Sequence, residues 1–122
     1  MKYVDGFVLV VPKKNLKAYI KMAEAASVVW KDHGALEYFE CVGEDLKIKM
    51  GCGVPFPKLA KTKAGETVVF SFIVYKSRAH RDKVNAKVMK DPRLNEMCGK
   101  DKPMPFDVNR MAYGGFEVIV ES

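Results

Sequence analysis

The sequence lacks any apolar run that approaches the roughly 20 residues a helix needs to span a bilayer. It also has few cysteines: Cys41, Cys52 and Cys98 make an odd count without a CxxC pair, which is typical of a chain kept in a reducing compartment. An acid at position 5 interrupts the apolar stretch that a secretory leader would need. We therefore expect a cytoplasmic protein without a membrane anchor.

Motifs of the common catalytic and cofactor-binding classes are also missing. The chain has no Walker loop, no glycine fingerprint for dinucleotides and no GxSxG elbow. Its two histidines and three cysteines show no metal-ligand spacing, so we predict neither a metal site nor a bound cofactor. Whether the protein is an enzyme is a question that these absences do not answer.

Acidic residues are missing from one stretch in particular, between Asp45 and Glu66, although the whole chain has a net charge of +6. A basic surface attracts nucleic acid or acidic metabolites. Only Phe56 supplies an aromatic ring here, whereas proteins that bind single strands stack bases on several rings. A solvated lysine loop is therefore favoured over an RNA-binding surface, which stays an alternative. The lysines are Lys47, Lys49, Lys58, Lys61 and Lys63.

Two segments predict strands that are covered on both faces. One comprises residues 3–11 and the other lies between Gly65 and Ser77, and both alternating faces of each segment are largely apolar. Such strands lie in the centre of a sheet. Ser77 is placed to cap a helix, which the pair Asp91-Pro92 ends.

The remaining elements complete a repeated order of strand, helix and strand. Asn15 is placed to cap a helix over 15–32, Gly34 follows that helix, and residues 36–42 and 110–120 predict two further strands. Residues 43–65 are irregular. The order β-α-β-β-α-β predicts an α+β fold of ferredoxin-like type: one domain over 1–122, with a four-stranded antiparallel sheet and helices on one face.

Two helices can cover only one face of such a sheet. The other face would then expose apolar residues of the central strands, and we expect Phe7 and Leu9 to be among them. A monomer rarely tolerates an exposed patch of that size. We therefore predict a homodimer that forms through the open face of the sheet.

The chain resembles the YbaA-like family of small bacterial proteins, a family of unknown function in the dimeric α/β-barrel superfamily. The resemblance covers nearly the whole length, and it implies the ferredoxin-like fold and the dimer but no activity or cofactor. It is carried by MKYVDGFV at 1–8, HGALEYFEC at 33–41, GETVVFSFIVYKSRAHRD at 65–82, NAKVMKDPR at 85–93, MPFD at 104–107 and RMAYGGFE at 110–117.

Three cationic side chains fall in the first turn of the second predicted helix: Arg78, His80 and Arg81. The helix dipole disfavours cations at this end, so a bound anion would explain them. Alternatively, the side chains reach into solvent, or they pair with Asp82 and with a carboxylate from elsewhere. The first interpretation predicts a site for a small anionic ligand.

Asp5 is an acid within an otherwise apolar central strand. If it faces the interior of a barrel, a buried carboxylate there is suited to proton transfer. The favoured alternative is that Asp5 lies in solvent near the end of the strand or forms an ion pair with Arg110, because the first and last strands adjoin in this topology.

Asp107, Arg110 and Tyr113 lie close to the paired glycines 114 and 115. With Phe106 they could line a cleft for a small organic ligand. The alternative is a turn in which Asp107 caps its own backbone. His33, Cys41, Trp30 and Tyr19 are interpreted as structural residues.

Three classes of function follow. The favoured one is a pocket that binds a small anionic organic ligand. The alternatives are RNA binding through the lysine-rich loop and a non-catalytic interaction module.

Overall fold

The structure, a computed structural model, describes residues 1–49, 51–98 and 103–122. Its strands are β1 (Tyr3–Pro12), β2 (Glu37–Val42), β3 (Glu66–Tyr75) and β4 (Ala112–Glu117). Its helices are α1 (Leu16–Asp32), α2 (Phe56–Ala60), α3 (Arg78–Met89) and α4 (Pro92–Cys98), with single 3₁₀ turns at Lys13–Asn15 and Val108–Arg110. The predicted order β-α-β-β-α-β is confirmed, with α2 and α4 as short additions.

The four strands form one antiparallel sheet in the order β2-β3-β1-β4. The two strands that are apolar on both faces, β1 and β3, are central as predicted, and β2 is an edge strand. Asp5 lies opposite Ile73 of β3 and Gly115 of β4. The topology is the ferredoxin-like one.

Helices α1 and α3 pack on the face of the sheet that carries Phe7, Leu9 and Ile73. The expectation that Phe7 and Leu9 lie on the open face is therefore wrong. Side chains alternate along a strand, so the opposite face of β1 carries Val4 and Val8 instead. Since both faces of β1 are apolar, the pattern of the strand does not indicate which face the helices cover. The helix residues buried in these core clusters are Tyr19, Ala23, Val29, Val84 and Val88.

Among the described residues, the opposite face of the sheet is covered only at one end. The short helix α2 contacts β1 and β3, and its Phe56 ring meets the ring of Phe70 edge-on with centroids 6.3 Å apart. The ring centroid of Phe72 lies 5.8 Å from that of Phe70 and 5.0 Å from that of Phe39, so an aromatic row crosses this face. Cys41, expected in the core, is exposed because it lies on the edge strand β2.

The ends of the elements confirm some cap predictions and correct one. The Ser77 hydroxyl accepts a hydrogen bond from the His80 N–H at 3.1 Å, as an N-cap does, and Gly34 adopts φ +110° after α1. Asn15 does not cap α1, since its side-chain amide donates to the Pro105 carbonyl at 3.1 Å. That bond holds the 103–107 segment against the start of α1.

The paired glycines lie in β4, which is shorter than the predicted strand. A Cβ at position 115 would overlap the ring of Tyr3, so the close approach of another group is the reason for glycine there. Within the described residues, no helix is both long and apolar enough to cross a membrane.

Candidate functional site

A cavity of about 420 Å³ lies between the helix-covered face of the sheet and helices α1 and α3. Most of its wall is apolar and is formed by the sheet, α1, α3, Leu94 of α4 and the segment 104–111. Met22, Met89, Met104 and Met111 belong to that wall, together with Phe7, Leu9, Ala23, Ala26, Ile73, Leu94 and Phe106. Polar side chains reach the cavity in two clusters, around Asp5 and around Glu40, and at the buried Ser71, which lies opposite Glu40 in the sheet.

The first polar group is Asp5, which is only 6% exposed. Its Oδ1 accepts a hydrogen bond from Arg81 Nη1 at 2.6 Å, and its Oδ2 accepts one from Asn85 Nδ2 at 3.2 Å. Arg81 also donates from Nε to Asp82 at 2.8 Å, and its guanidinium carbon lies 4.9 Å from the centroid of the Tyr3 ring. The carboxylate is thus held by a charged partner and a neutral one.

Asn85 is itself fixed by two further donors. Its Oδ1 accepts from the indole N–H of Trp30 at 3.0 Å and from the Tyr75 hydroxyl at 3.2 Å. Burial and the nearby Asp5 carboxylate raise the pKa of Tyr75, so its hydroxyl stays protonated and keeps donating. These bonds determine which side of the Asn85 amide faces Asp5, and the cluster therefore has one orientation.

The second polar group is Glu40, on β2. Its Oε1 accepts from the Tyr19 hydroxyl at 2.7 Å and its Oε2 from the Tyr38 hydroxyl at 2.8 Å. Burial and the bond to Glu40 raise the pKa of Tyr19, which keeps that phenol in its donating form. Two buried or half-buried phenols therefore orient one carboxylate at the cavity wall.

Asn85 was not among the residues predicted for the site, although its spacing on α3 indicates its position. Arg81, Val84, Asn85 and Val88 follow the i, i+3, i+4, i+7 spacing of a single helix face, and Val84 and Val88 are buried. Two polar residues on the buried stripe of α3 were the signal that could have found the site. Trp30 does pack against the sheet as interpreted, but its indole N–H also belongs to the site.

The three cations at the start of α3 do not converge on a common point. Arg81 turns to Asp5 and Asp82, which is the alternative that pairs it with carboxylates. His80 accepts a hydrogen bond at Nδ1 from the Lys76 backbone N–H at 2.9 Å, and Arg78 is exposed to solvent. Of the three, only Arg81 lines the cavity.

The pairing of Asp5 with Arg110 is wrong. Arg110 instead binds both carboxylate oxygens of Glu66, at 2.7 and 3.0 Å, and donates to the Lys61 carbonyl at 2.9 Å. The reason is register: Asp5 lies opposite Gly115, and Arg110 lies five positions before Gly115, about 16 Å along an extended chain. Adjacent strands alone did not bring the two charges together.

The Asp107 cluster divides in a similar way. Asp107 accepts from the Asn109 backbone N–H at 2.9 Å and so caps its own turn, which is the alternative interpretation. Tyr113 lines the cavity and stacks on Phe7 with ring centroids 6.2 Å apart. Phe106 also lines the cavity, packed on Tyr19 at 5.7 Å. The aromatic members therefore reach the site, whereas Asp107 and Arg110 do not.

His33 lies outside the cavity, where its Nε2 is 2.8 Å from an Asp91 carboxylate oxygen. Hydrogen bonds from Arg93, and then from His33, lower the pKa of Asp91. This cluster joins the end of α1 to the start of α4. The described residues contain no group of three or more histidine, cysteine or acidic side chains that could hold a metal ion.

The Glu66–Arg110 pair gives an expected pH dependence. Hydrogen bonds from Arg110 and from the Lys63 backbone lower the pKa of Glu66 from 4.5 to about 2. Because the folded pKa is the lower one, this contribution to stability is present above pH 4.5 and is lost as the pH falls toward 2. We expect the Tm of Glu66→Gln to fall less than the Tm of the native chain as the pH is lowered from 4.5 toward 2. Glu44→Gln, at an exposed acid, is the control, and a curve for Glu66→Gln parallel to the native one would contradict the prediction.

Comparisons with known proteins agree on family and fold. The family model described as "Protein of unknown function (DUF1428)" matches residues 2–108. Relatives in Escherichia coli K12 and Shigella flexneri, both named "Uncharacterized protein YbaA", are 45% identical over 121 residues, with 99% of each chain covered.

Solved structures with a similar fold have low sequence identity. Rv0793 from Mycobacterium tuberculosis is 12% identical with a TM-score of 0.56, covering 100% of this chain and 99% of that one. A dimeric ferredoxin-like protein from an uncultured marine organism is 15% identical with a TM-score of 0.57, covering 100% of both chains. At such identities the likeness shows the fold alone.

Proposed function

Since this chain belongs to the DUF1428 family of proteins of unknown function, as its resemblance to YbaA-like proteins predicted, we propose its function from its own site. The proposal is that the protein binds a small, largely apolar organic molecule between the sheet and helices α1 and α3. The observation that supports it is the cavity of about 420 Å³, whose mostly apolar wall carries two fixed polar clusters, one around Asp5 and one around Glu40. Sites for small molecules are typically concave, mostly apolar and supplied with a few converging polar groups.

The polar cluster around Asp5 favours binding because it is already ordered. Asp5, Arg81 and Asn85 hold one another, and Trp30 and Tyr75 hold Asn85. A ligand that meets a fixed cluster loses less free energy to the ordering of side chains. The four methionines of the wall add adaptability, because their side chains are flexible and polarizable.

The charges of the cavity change the expected ligand. The prediction of an anion depended on Arg78, His80 and Arg81, and only Arg81 lines the cavity. Its charge is neutralised by Asp5 at 2.6 Å and by Asp82 at 2.8 Å. The proposal therefore keeps the small organic ligand and drops the preference for an anion.

Filling the cavity tests this proposal. Ala26 lines the cavity and is almost fully buried, so Ala26→Phe should place a ring where a ligand would bind. In a thermal-shift screen of aromatic and aliphatic alcohols and amines, a ligand at about 100 times its Kd should stabilise the native protein by about 2.7 kcal/mol, or several degrees in Tm. We expect Ala26→Phe to abolish that shift.

Ala25→Phe is the matched control, because Ala25 lies on the exposed side of the same helix. The control should keep the full thermal shift. If Ala26→Phe keeps it as well while remaining folded, the ligand binds elsewhere and the cavity is not the site.

We further propose that the protein is a homodimer through the open face of the sheet. That face holds an apolar groove of about 650 Å³, lined by Val4, Val8, Phe70, Phe72 and Phe116 among others. Phe70 is 44% and Phe116 61% exposed, although both lie on strands of the sheet. A second copy would offer the same projecting rings and the same groove, which is the self-complementarity of a two-fold interface. One solved protein of similar fold is described as dimeric, which supports the proposal.

RNA is the alternative occupant of this face. Phe56 is the only aromatic residue between Asp45 and Glu66, but in the structure its ring belongs to a row with Phe70, Phe72 and Phe39. Aromatic rings on a sheet beside lysines can stack bases. We favour the second copy because the groove itself is almost entirely apolar.

The setting of this function is proposed to be the cytoplasm. Cys41 and Cys52 are exposed free thiols. Unpaired exposed cysteines are typical of a reducing compartment.

A further inference from the structure

Glu40 lies where two cavities meet. The cavity of about 420 Å³ and a second one of about 360 Å³, between α1 and the edge strand β2, share Tyr19, Ala23, Tyr38 and Glu40 in their walls. A ligand that extends from the first cavity toward the second would therefore lie beside this carboxylate, which is also exposed to solvent. The position makes Glu40 a candidate for recognising a polar group of the ligand.

The Glu40 carboxylate has a defined orientation and spare acceptor capacity. Each of its oxygens accepts one phenolic hydrogen bond, at 2.7 Å from Tyr19 and 2.8 Å from Tyr38. An ionised carboxylate offers about four lone-pair directions in all. About half of them are left for a donor on a ligand, and the two phenols hold the group in place for it.

Glu40 differs from Asp5 in its charge environment. Asp5 is neutralised by Arg81, whereas no lysine, arginine or histidine among the described residues forms an ion pair with Glu40. Glu24 adds a second carboxylate to the wall of the smaller cavity. Among the described residues, the two cavities together therefore contain three carboxylates and one guanidinium.

An anionic group at this junction would meet an uncompensated negative charge. A hydroxyl could donate a hydrogen bond to Glu40, and an ammonium group could add charge to that bond, which strengthens it. We propose that Glu40, positioned by Tyr19 and Tyr38, selects ligands that carry a neutral or cationic hydrogen-bond donor on an apolar body and rejects the matching anions. The inference rests on the proposed cavity as the ligand site and deepens it by naming the class of ligand.

Three probes with one apolar body test this selectivity: 2-(1-naphthyl)ethylamine, 2-(1-naphthyl)ethanol and 1-naphthylacetate. Titration calorimetry at pH 7.5 and low salt measures the Kd of each for the native protein. We expect the amine to bind about tenfold more tightly than the acetate, with the alcohol between them, and the gap to narrow as salt screens the charge. Glu40→Gln keeps the shape of the side chain and removes the charge, so it should bring the three Kd values within about twofold of one another.

Glu37→Gln is the matched control, because Glu37 lies on the same strand with its side chain on the opposite face of the sheet. It should leave the order of the probes unchanged. If no probe binds the native protein, the proposed ligand site fails together with this inference. Suppose instead that the probes bind the native protein and lose affinity in Ala26→Phe. If the native protein then binds all three equally or prefers the acetate, the site stands and the selectivity by Glu40 is overturned. A native order that Glu40→Gln leaves intact also overturns it.

Discussion

Replacement of Arg81 with methionine should lower the free energy of unfolding by about 3–5 kcal/mol, the range for removing one partner of a buried ion pair. The side chains of Arg81 and Asp5 are 18% and 9% exposed, and their closest atoms are 2.6 Å apart. Methionine retains much of the apolar stem, so the change removes mainly the charge and its hydrogen bonds. Asp5 would be left buried without a charged partner, while Asn85 still donates to its Oδ2 at 3.2 Å.

Substitution of the other partner, Asp5, should lower the free energy of unfolding by less. In Asp5→Asn, Arg81 still binds the Asp82 carboxylate at 2.8 Å, so its charge is not left unpaired. The double variant Asp5→Asn, Arg81→Met carries neither charge, and its loss should be smaller than the sum of the two single losses. Urea denaturation of the four proteins gives that coupling free energy directly.

Arg78→Met is the control for these measurements, because Arg78 is an exposed arginine in the same helical turn. Its effect should stay within about 0.5 kcal/mol. A loss for Arg81→Met no larger than that of the control would mean that the pair does not hold the site together. Additive single losses would likewise rule out direct coupling between Asp5 and Arg81.

The order of elements was predictable because each of its signals is local. Ser77 caps α3 as expected, Gly34 adopts the positive φ that ends α1, and the strands that are apolar on both faces are central. Asp5 also stood out as an acid in an apolar strand. The partner of Asp5 could not be predicted from the sequence. It depends on the register of β1 against β4 and on the face of α3 that packs on the sheet.

The same limitation explains why the rest of the site was missed. Glu40 is an exposed residue on the edge strand β2. Its side chain nevertheless lies on the helix side, where Tyr19 reaches it from α1. The pairing joins residues 21 positions apart through the packing of a helix on a sheet, and no periodicity within either segment encodes it. Phe7 and Leu9 were placed on the wrong face for a related reason, since β1 is apolar on both.

The largest effect on assembly is expected from Phe70→Glu. Phe70 lies on the central strand β3, opposite Val8 and Cys41, on the face that we propose as the dimer interface. A carboxylate there would have to be buried without a partner when two copies meet, which costs several kcal/mol. Light scattering should therefore give the mass of two chains for the native protein and of one chain for Phe70→Glu.

Val28→Glu is the matched control, because it places the same charge at an exposed apolar residue on α1, away from the open face. The control should keep the mass of two chains.

A native mass of one chain would contradict the dimer. In that case, single-stranded RNA that binds the native protein with an affinity falling steeply with salt, and that no longer binds Phe70→Glu, would identify nucleic acid as the occupant of this face. Both outcomes depend on the aromatic row, so the one substitution tests which of the two partners covers it.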